Sequence, residues 1–420
     1  KTNIQNTQQI MQKYEINKVS LEQQIYLLKV DEVTKEKAIN KLKEMNGKPD
    51  DMTIKIRQYL EGLVKIPFDT YYEEPIIKIM KTNNEQFLCF LKNYSKMFSN
   101  VRIENKSNFT NKEMNNILIT VETTTSKYIK DNIQKDLQQC IIKKLNQIMK
   151  IIKQHLKTTN EKNISISKKS KNNLYNQILH YFFNENYCNS IMFSIFDEIY
   201  NENFKTVNFK KEVRLLHSSI ESVSKNISKM ETILDNSIHG HTNAKNQILK
   251  IIGQWMNGEN SGYSFGFEGS PGIGKTSLAS KGLTKCLMDS NDNSRPFNFI
   301  AIGGSSNGSF LEGHGYTYMN STWGKIVDIL MDSKCMNPII YVDELDKVSK
   351  TEQGKEIIGI LTHLIDPTQN TNFQDKYFSG INIDVSKILF IFSYNDPDQI
   401  DKVLLDRIHR IKFENLTINE

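Results

Sequence analysis

Gly269-Ser270-Pro271-Gly272-Ile273-Gly274-Lys275-Thr276 fits the pattern G-x-x-x-x-G-K-[ST] at every fixed position. Glycines at this spacing let the backbone curl so that several N–H groups point inward at phosphate oxygens. Lys275 then reaches the β- and γ-phosphates, and the Thr276 hydroxyl is placed to ligate Mg²⁺. Working outward, the apolar run from Tyr263 to Phe267 reads as a buried strand, and Ser277-Leu278-Ala279 continues beyond the loop as a helix. Ser277 is counted with the nucleotide-binding stretch. Phosphates at that helix start meet free amides and a favourable dipole. A Gly-rich turn that binds nothing is the plainer alternative. The strand, loop and helix together imply a bound nucleoside triphosphate.

From about Lys229 onward, strand-like and helix-like segments alternate. Strand candidates are Tyr263–Phe267, Phe297–Ile302, Pro338–Val342, Lys387–Phe392 and Ile411–Phe413. This alternation predicts an α/β domain, a parallel sheet wrapped by helices. The third candidate runs into Asp343-Glu344, and two acids at the C-terminal end of a buried strand suit metal-assisted hydrolysis. Asp343 would hold Mg²⁺ directly or through water, and Glu344 would polarise the attacking water. Alone, such a pair reads equally well as surface charge; downstream of a phosphate loop it gains meaning. The fourth candidate leads into Ser393-Tyr394-Asn395-Asp396, where Asn395 can orient the water and sense the γ-phosphate. Arg407, next to Asp406, is either a surface ion pair or an arginine that stabilises transition-state charge in a neighbouring subunit.

The N-terminal residues 1–72 carry helical periodicity at Ala38, Leu42 and Met45 and again at Ile56, Leu60, Leu63 and Val64, with Pro67 as a stop. Residues 73–228 are also mostly helical in pattern. One apolar stripe (Ile129, Ile133, Leu137, Ile141, Leu145, Ile148, Ile152, Leu156) predicts a single amphipathic helix of about eight turns over 128–157. Twelve lysines fall between Lys127 and Lys171. They form either a solvated face or a nucleic-acid surface, and beyond Tyr128 no aromatics interleave for base stacking. A polar tract over 158–173 reads as a loop, and the aromatic segment Tyr181 to Phe196 as core.

The whole chain is 420 residues with a formal net charge of +6, too small a charge to imply nucleic acid by itself. Five scattered cysteines without a C-x-x-C pair predict reduced thiols in a cytoplasmic or other reducing intracellular compartment. No apolar stretch approaches the ~20 residues of a membrane span. No signal peptide opens the chain, and a start at Lys1 reads as a fragment.

The four stations in this order resemble the AAA+ ATPases, and the residues between them are similar to Lon-type ATP-dependent proteases. GHGYTYMNSTWGKIV (residues 313–327) looks like the Lon segment that carries the first pore loop. Asp366-Pro367-Thr368-Gln369-Asn370 with Phe373 and Asp375, ILDNSIHGHTNAKNQIL (233–249), and Ile56-Arg57-Gln58-Tyr59-Leu60 to Ile66-Pro67-Phe68 look like three further Lon segments. The resemblance covers residues 20–72 and 229–420. It implies an AAA+ large subdomain with a five-stranded parallel sheet over 229–420, behind a helical segment at 1–72 and a helical insertion at 73–228. It also implies ATP and Mg²⁺ as cofactors, Asp343 and Glu344 as the Walker B pair, Asn395 as sensor 1, and Arg407 as the trans finger. Tyr318 and Met319 take the place of the pore pair that grips unfolded polypeptide, in a homo-oligomeric ring, a hexamer. Without the resemblance, Tyr318 reads as an ordinary packed aromatic. His239 and Gly240 fall where the family contacts adenine, a role favoured over a metal site for His239-Gly240-His241, which lacks a third ligand.

Three departures stand out. Residues 73–228 intervene where typical Lon chains pass almost directly into the ATPase domain. Gly315 and Tyr316 replace usual basic residues, and Trp323 a usual proline. The chain also stops at Glu420, ahead of the family's helical lid and its Ser–Lys protease domain. Besides a proteolytic motor, a Lon-like chaperone or scaffold that binds nucleic acid and a replication-type AAA+ loader therefore remain as readings.

Overall fold

The structure is a computed structural model and describes residues 19–45, 50–72, 75–95, 101–158, 170–183, 195–196, 206–256, 264–288, 293–304, 307–318 and 320–415. Most of the polar tract over 158–173, together with Tyr187, Cys188, Phe193 and Met319, lies outside these residues. The described residues divide into two compact units, one drawn from 1–75, 228–255 and 259–420 and the other from 76–227 and 256–258.

In chain order the helices are α1 (Leu21–Leu27), α2 (Glu32–Glu44), α3 (Asp50–Lys65), α4 (Pro75–Tyr94), α5 (Asn111–Leu137), α6 (Ile142–Thr158), α7 (Lys171–Phe183), α8 (Thr206–Ser237) and α9 (Thr242–Met256). The strands β1 (Ser264–Glu268), β2 (Phe297–Ala301), β3 (Ile339–Asp343), β4 (Leu389–Tyr394) and β5 (His409–Lys412) follow. Between β1 and β2 runs α10, wound as α at Lys275–Ser277 and Thr284–Cys286 and as π at Leu278–Leu283. α11 (Ser309–Glu312) and α12 (Lys325–Ser333) precede β3; α13 (Glu352–Ile365) precedes β4, and α14 (Lys402–Leu405) precedes β5.

The five strands form one parallel sheet in the order β2-β3-β4-β1-β5. β3 and β4 are buried almost throughout, from Ile339 to Val342 and from Leu389 to Tyr394. That is why both read as continuous apolar runs rather than alternating ones. β4, not β3, is the neighbour of the strand that feeds the phosphate loop. The loop at the end of β4 therefore lies nearest to it.

The N-terminal helices are part of the same core. Ile25, Ala38, Ile56, Tyr59, Leu60, Leu63, Ile66 and Phe68 join one apolar cluster with Ile300, Ile340, Leu361, Phe378 and Phe392. Ser20 starts α1 with a capping box to Gln23, and Asp31 caps α2 by accepting from Thr34 N. At the far end of the segment, Tyr72 N donates to Asn337 Oδ1 at 2.7 Å, Asn337 Nδ2 returns a bond to Tyr72 O at 2.9 Å, and Met336 N donates to Thr70 O at 2.7 Å. These bonds stitch the segment to the residues just before β3.

The second unit is helical in its described residues. The single helix expected over 128–157 is two helices, α5 and α6, broken at 138–141. At the break the backbone tightens to i→i−3 bonds, Gln139 N to Asp136 O and Cys140 N to Leu137 O, and Ile141 is 66% exposed. Leu137 and Leu145 are both fully buried. A break of about one turn keeps the flanking stripes in phase, so the apolar period carries no sign of it. α5 starts with a Thr110–Glu113 capping box.

Candidate functional site

The phosphate loop leaves β1 and enters α10. Gly272 (φ 78°) and Gly274 (φ 99°) adopt backbone that L side chains rarely reach, so the curl depends on glycine at both. The opening amides of α10 have no intrahelical partner, as at any helix start. A cavity of about 310 Å³ opens there, lined by Pro271, Gly272, Gly274, Lys275, Thr276 and Ser277 from the loop. Asp343, Glu344, Asp346 and Lys347 from the end of β3, and Ser393, Tyr394 and Asn395 from the end of β4, complete it. Residues spread over 271–395 in the sequence meet because parallel strands end on one side of the sheet, the usual position of ligand crevices in such folds.

Lys275 is buried, and its ammonium donates to Gly269 O, to Tyr394 O at 3.2 Å and to Asn395 Oδ1 at 2.8 Å. Burial lowers its pKa, with Asp343 and Asp346 pulling the other way. Asn395 is thereby tied to the loop lysine by its carbonyl oxygen. Asp343 Oδ1 accepts from Glu344 N at 3.0 Å, and Glu344 pairs with Lys347. That pairing raises the pKa of Lys347 through the hydrogen bond to Glu344. Glu344 stands at φ 60°, a left-handed conformation that is uncommon for a non-glycine residue and often found at functional positions.

The donor set suits a hard cation beside phosphate. Thr276 and Asp343 supply oxygens to the same cavity. Asp346 Oδ1 is buried without a partner, while Asp346 Oδ2 accepts from Asn395 N and Asp396 N. Among the described residues, no three His, Cys, Asp or Glu form a metal cage. Mg²⁺ needs none, since it keeps waters and shares substrate phosphates. Sequence reasoning missed Asp346 and Lys347, although Asp343-Glu344-Leu345-Asp346-Lys347 shows the charges plainly.

Other expected residues lie apart from this cavity. Arg407 does not line it, and its guanidinium bonds Asp366 Oδ2 at 3.0 Å and Val403 O at 3.1 Å, so its partner is Asp366 and not Asp406. Hydrogen bonds from Thr368, ahead of Arg407, hold the Asp366 carboxyl below its ordinary pKa. His239 is exposed, whereas His241, one residue past the expected Gly240, bonds Ile273 O of the phosphate loop at 2.9 Å and packs on Phe413. Tyr318 is 69% exposed, unlike a packed aromatic, and its carbonyl accepts from Lys55 Nζ at 2.8 Å. Its partner Met319 is outside the described residues. Tyr316 and Trp323, the two departures, pack inward. Tyr316 meets Tyr59 edge-on at 5.2 Å with Lys41 over its ring, and Trp323 stacks on Phe378 at 6.0 Å. A larger cavity of about 610 Å³ between α13 and α14 holds none of the expected residues.

Among the described residues, Cys89, Cys140, Cys286 and Cys335 are free, and no helix is long and apolar enough to cross a membrane.

Comparison with known proteins matches residues 265–416 to the ATPase family associated with various cellular activities (AAA). The chain is 36% identical over 204 residues to a Lon protease homolog of Acanthamoeba polyphaga mimivirus, covering 47% of this chain and 19% of that protein. It is 33% identical over 253 residues to the peroxisomal Lon protease homolog 2 of Caenorhabditis elegans, covering 56% of this chain and 32% of that protein. With the Lon protease of Helicobacter pylori it shares 40% identity over 154 residues, 37% of this chain and 17% of that one. The chain thus spans a third or less of the length of these relatives. It holds an AAA domain, a nucleotide-binding ATPase fold, within a region similar to Lon proteases.

Proposed function

We propose that this chain is the ATP-hydrolysing motor portion of a Lon-like ATP-dependent protease, with residues 229–420 as its AAA+ large subdomain, 1–72 as the helical segment ahead of it and 73–228 as a helical insertion. The observation that carries the reading is the convergence of the phosphate loop, Asp343-Glu344 and Asn395 on one cavity. In this reading the loop amides and Lys275 bind the phosphates, and Ser277 continues that cradle into α10. Mg²⁺, held by Thr276 and Asp343, would neutralise charge on the β- and γ-phosphate oxygens. Glu344 polarises the attacking water and Asn395 orients it. His239 and Gly240 belong to the adenine side, where His241 is the better-supported contact because it bonds the loop itself.

Arg407 serves a neighbouring copy in a hexameric ring, a role favoured by its position away from its own cavity. Tyr318 and Met319 form the paddle that moves unfolded polypeptide through the ring, supported by the exposure of Tyr318. Peptide cleavage would belong to a Ser–Lys domain downstream. The free cysteines suit a reducing compartment.

Glu344→Gln tests the hydrolytic core. The amide cannot take the proton of the attacking water, so ATP should still bind with Mg²⁺ while phosphate release falls by a factor on the order of 10²–10⁴. Turnover equal to wild type would remove Glu344 from its role.

A further inference from the structure

Tyr341 sits in the middle of β3, two residues before Asp343, so both side chains leave the same face of the strand. Its side chain is fully buried, with the rings of Phe297 at 5.9 Å and Phe299 at 5.8 Å beside it on β2. A phenol at such a place needs a polar partner. Its hydroxyl lies 3.1 Å from Thr276 Oγ1, and the side chain of Ser393 is its other polar neighbour. Ser393 is itself buried at the end of β4. Three hydroxyls, from α10, β3 and β4, thus form a chain beneath the nucleotide cavity.

A threonine hydroxyl has one hydrogen and two lone pairs. When the oxygen gives a lone pair to a cation, the hydrogen must point away from the metal and find an acceptor. We infer that Tyr341 is a positioning residue for the cation ligand. Its phenol oxygen accepts the Thr276 hydrogen, its own hydrogen goes to Ser393, and a Thr276 lone pair is left facing Mg²⁺ at the triphosphate. Proton count is conserved along the chain, since each hydroxyl gives one hydrogen and no group ionises. Van der Waals contact with Phe297 and Phe299 fixes the ring, and with it the oxygen, so the Thr276 rotor is held before any cation arrives.

The inference rests on the reading of the cavity as an ATP·Mg²⁺ site, and its test separates the two. A fluorescent ATP analogue is bound to the full chain in EDTA, and Mg²⁺, then Mn²⁺, is titrated back while binding is read. Tyr341→Phe keeps the ring and removes one hydroxyl. Affinity in EDTA should be unchanged, and the Mg²⁺ midpoint should rise about 2- to 12-fold, the range expected for one hydrogen bond. Ser393→Ala should shift the midpoint in the same direction by less. In a Thr276→Ala background, Tyr341→Phe should add nothing, a result that a general packing defect would not give. An unchanged midpoint in Tyr341→Phe, or a shift fully retained without Thr276, overturns the relay alone. Wild-type binding that ignores Mg²⁺ overturns the ATP·Mg²⁺ reading and the relay with it.

Discussion

Gly303 follows β2 and passes beneath Glu344. A Cβ placed on it would lie 2.2 Å from Glu344 Oε2 and 2.9 Å from Glu344 Cβ, against 3.4 Å or more for an ordinary contact. Gly303→Ala therefore drives the carboxylate back by roughly 1 Å, a displacement that costs on the order of 10²-fold in rate when it misplaces a catalytic group. That is about 2.7 kcal/mol of lost transition-state stabilisation. Gly303 has no positive φ, so the backbone itself accepts alanine. The three atoms nearest the added carbon all belong to Glu344 and none to the phosphate loop. The expectation is a kcat about 100-fold lower with ATP affinity within about twofold of wild type. Steady-state phosphate release and equilibrium binding of an ATP analogue measure the two. In a Glu344→Gln background the same substitution should cost nothing more, because the group it displaces is already disabled. Hydrolysis within a few-fold of wild type, or a loss that adds to that of Glu344→Gln, would refute the argument that Gly303 exists to make room for Glu344.

Asp375 gives a pH prediction. It is fully buried, with Oδ2 accepting from Gly324 N at 2.7 Å and Oδ1 from Tyr377 N at 2.8 Å, and burial outweighs these bonds to push its pKa up to about 7. The folded state holds this proton more tightly than the unfolded chain. Its contribution to stability is therefore full below about pH 4 and is lost as pH rises to about 7, a span worth about 4 kcal/mol. Denaturant unfolding of wild type and Asp375→Asn between pH 4 and 8 should show the gap between the two curves change over that window; parallel curves would contradict it. Gly62, on α3, lets the helix close on Trp323, since a Cβ there would meet the indole at 2.8 Å. Gly62→Ala should destabilise the first unit by about 1–3 kcal/mol through overpacking, read as a lowered denaturation midpoint, and a gain from helix propensity instead would show that the indole yields freely.

Much of this architecture is legible in the sequence because its signals are local. GSPGIGKT is a single contiguous turn, and the strand before it and the helix after it are set by neighbouring residues. The buried runs at 339–343 and 389–394 are readable because strands covered on both faces need no alternation. What escapes is set by residues far apart in the chain. No spacing rule couples Tyr341 to Thr276, Gly303 to Glu344, or Arg407 to Asp366, and the expected Asp406 pairing came from adjacency alone. Tyr316 and Trp323 depart from the family's residues in the sequence, and the aromatic cluster with Tyr59, Tyr377 and Phe378 supplies the physical reason. The break between α5 and α6 escaped for the opposite reason, since a turn-length interruption leaves the apolar period intact.

The shared core of α1–α3 and the sheet has a consequence for how the chain is made. Leu60 and Leu63 leave the ribosome long before Ile340, Phe378 and Phe392, the residues with which they are finally buried. Until β3, β4 and the residues between them emerge, the apolar faces of these helices have no permanent cover. Such waiting surfaces are exposed to aggregation and engage chaperones, and closing so distant a contact is slow. Synthesis that stalls before β4 should therefore leave a nascent chain in which α1–α3 are formed but undocked, open to proteolysis between Ser20 and Phe68. Completion of the sheet would then cover α1–α3.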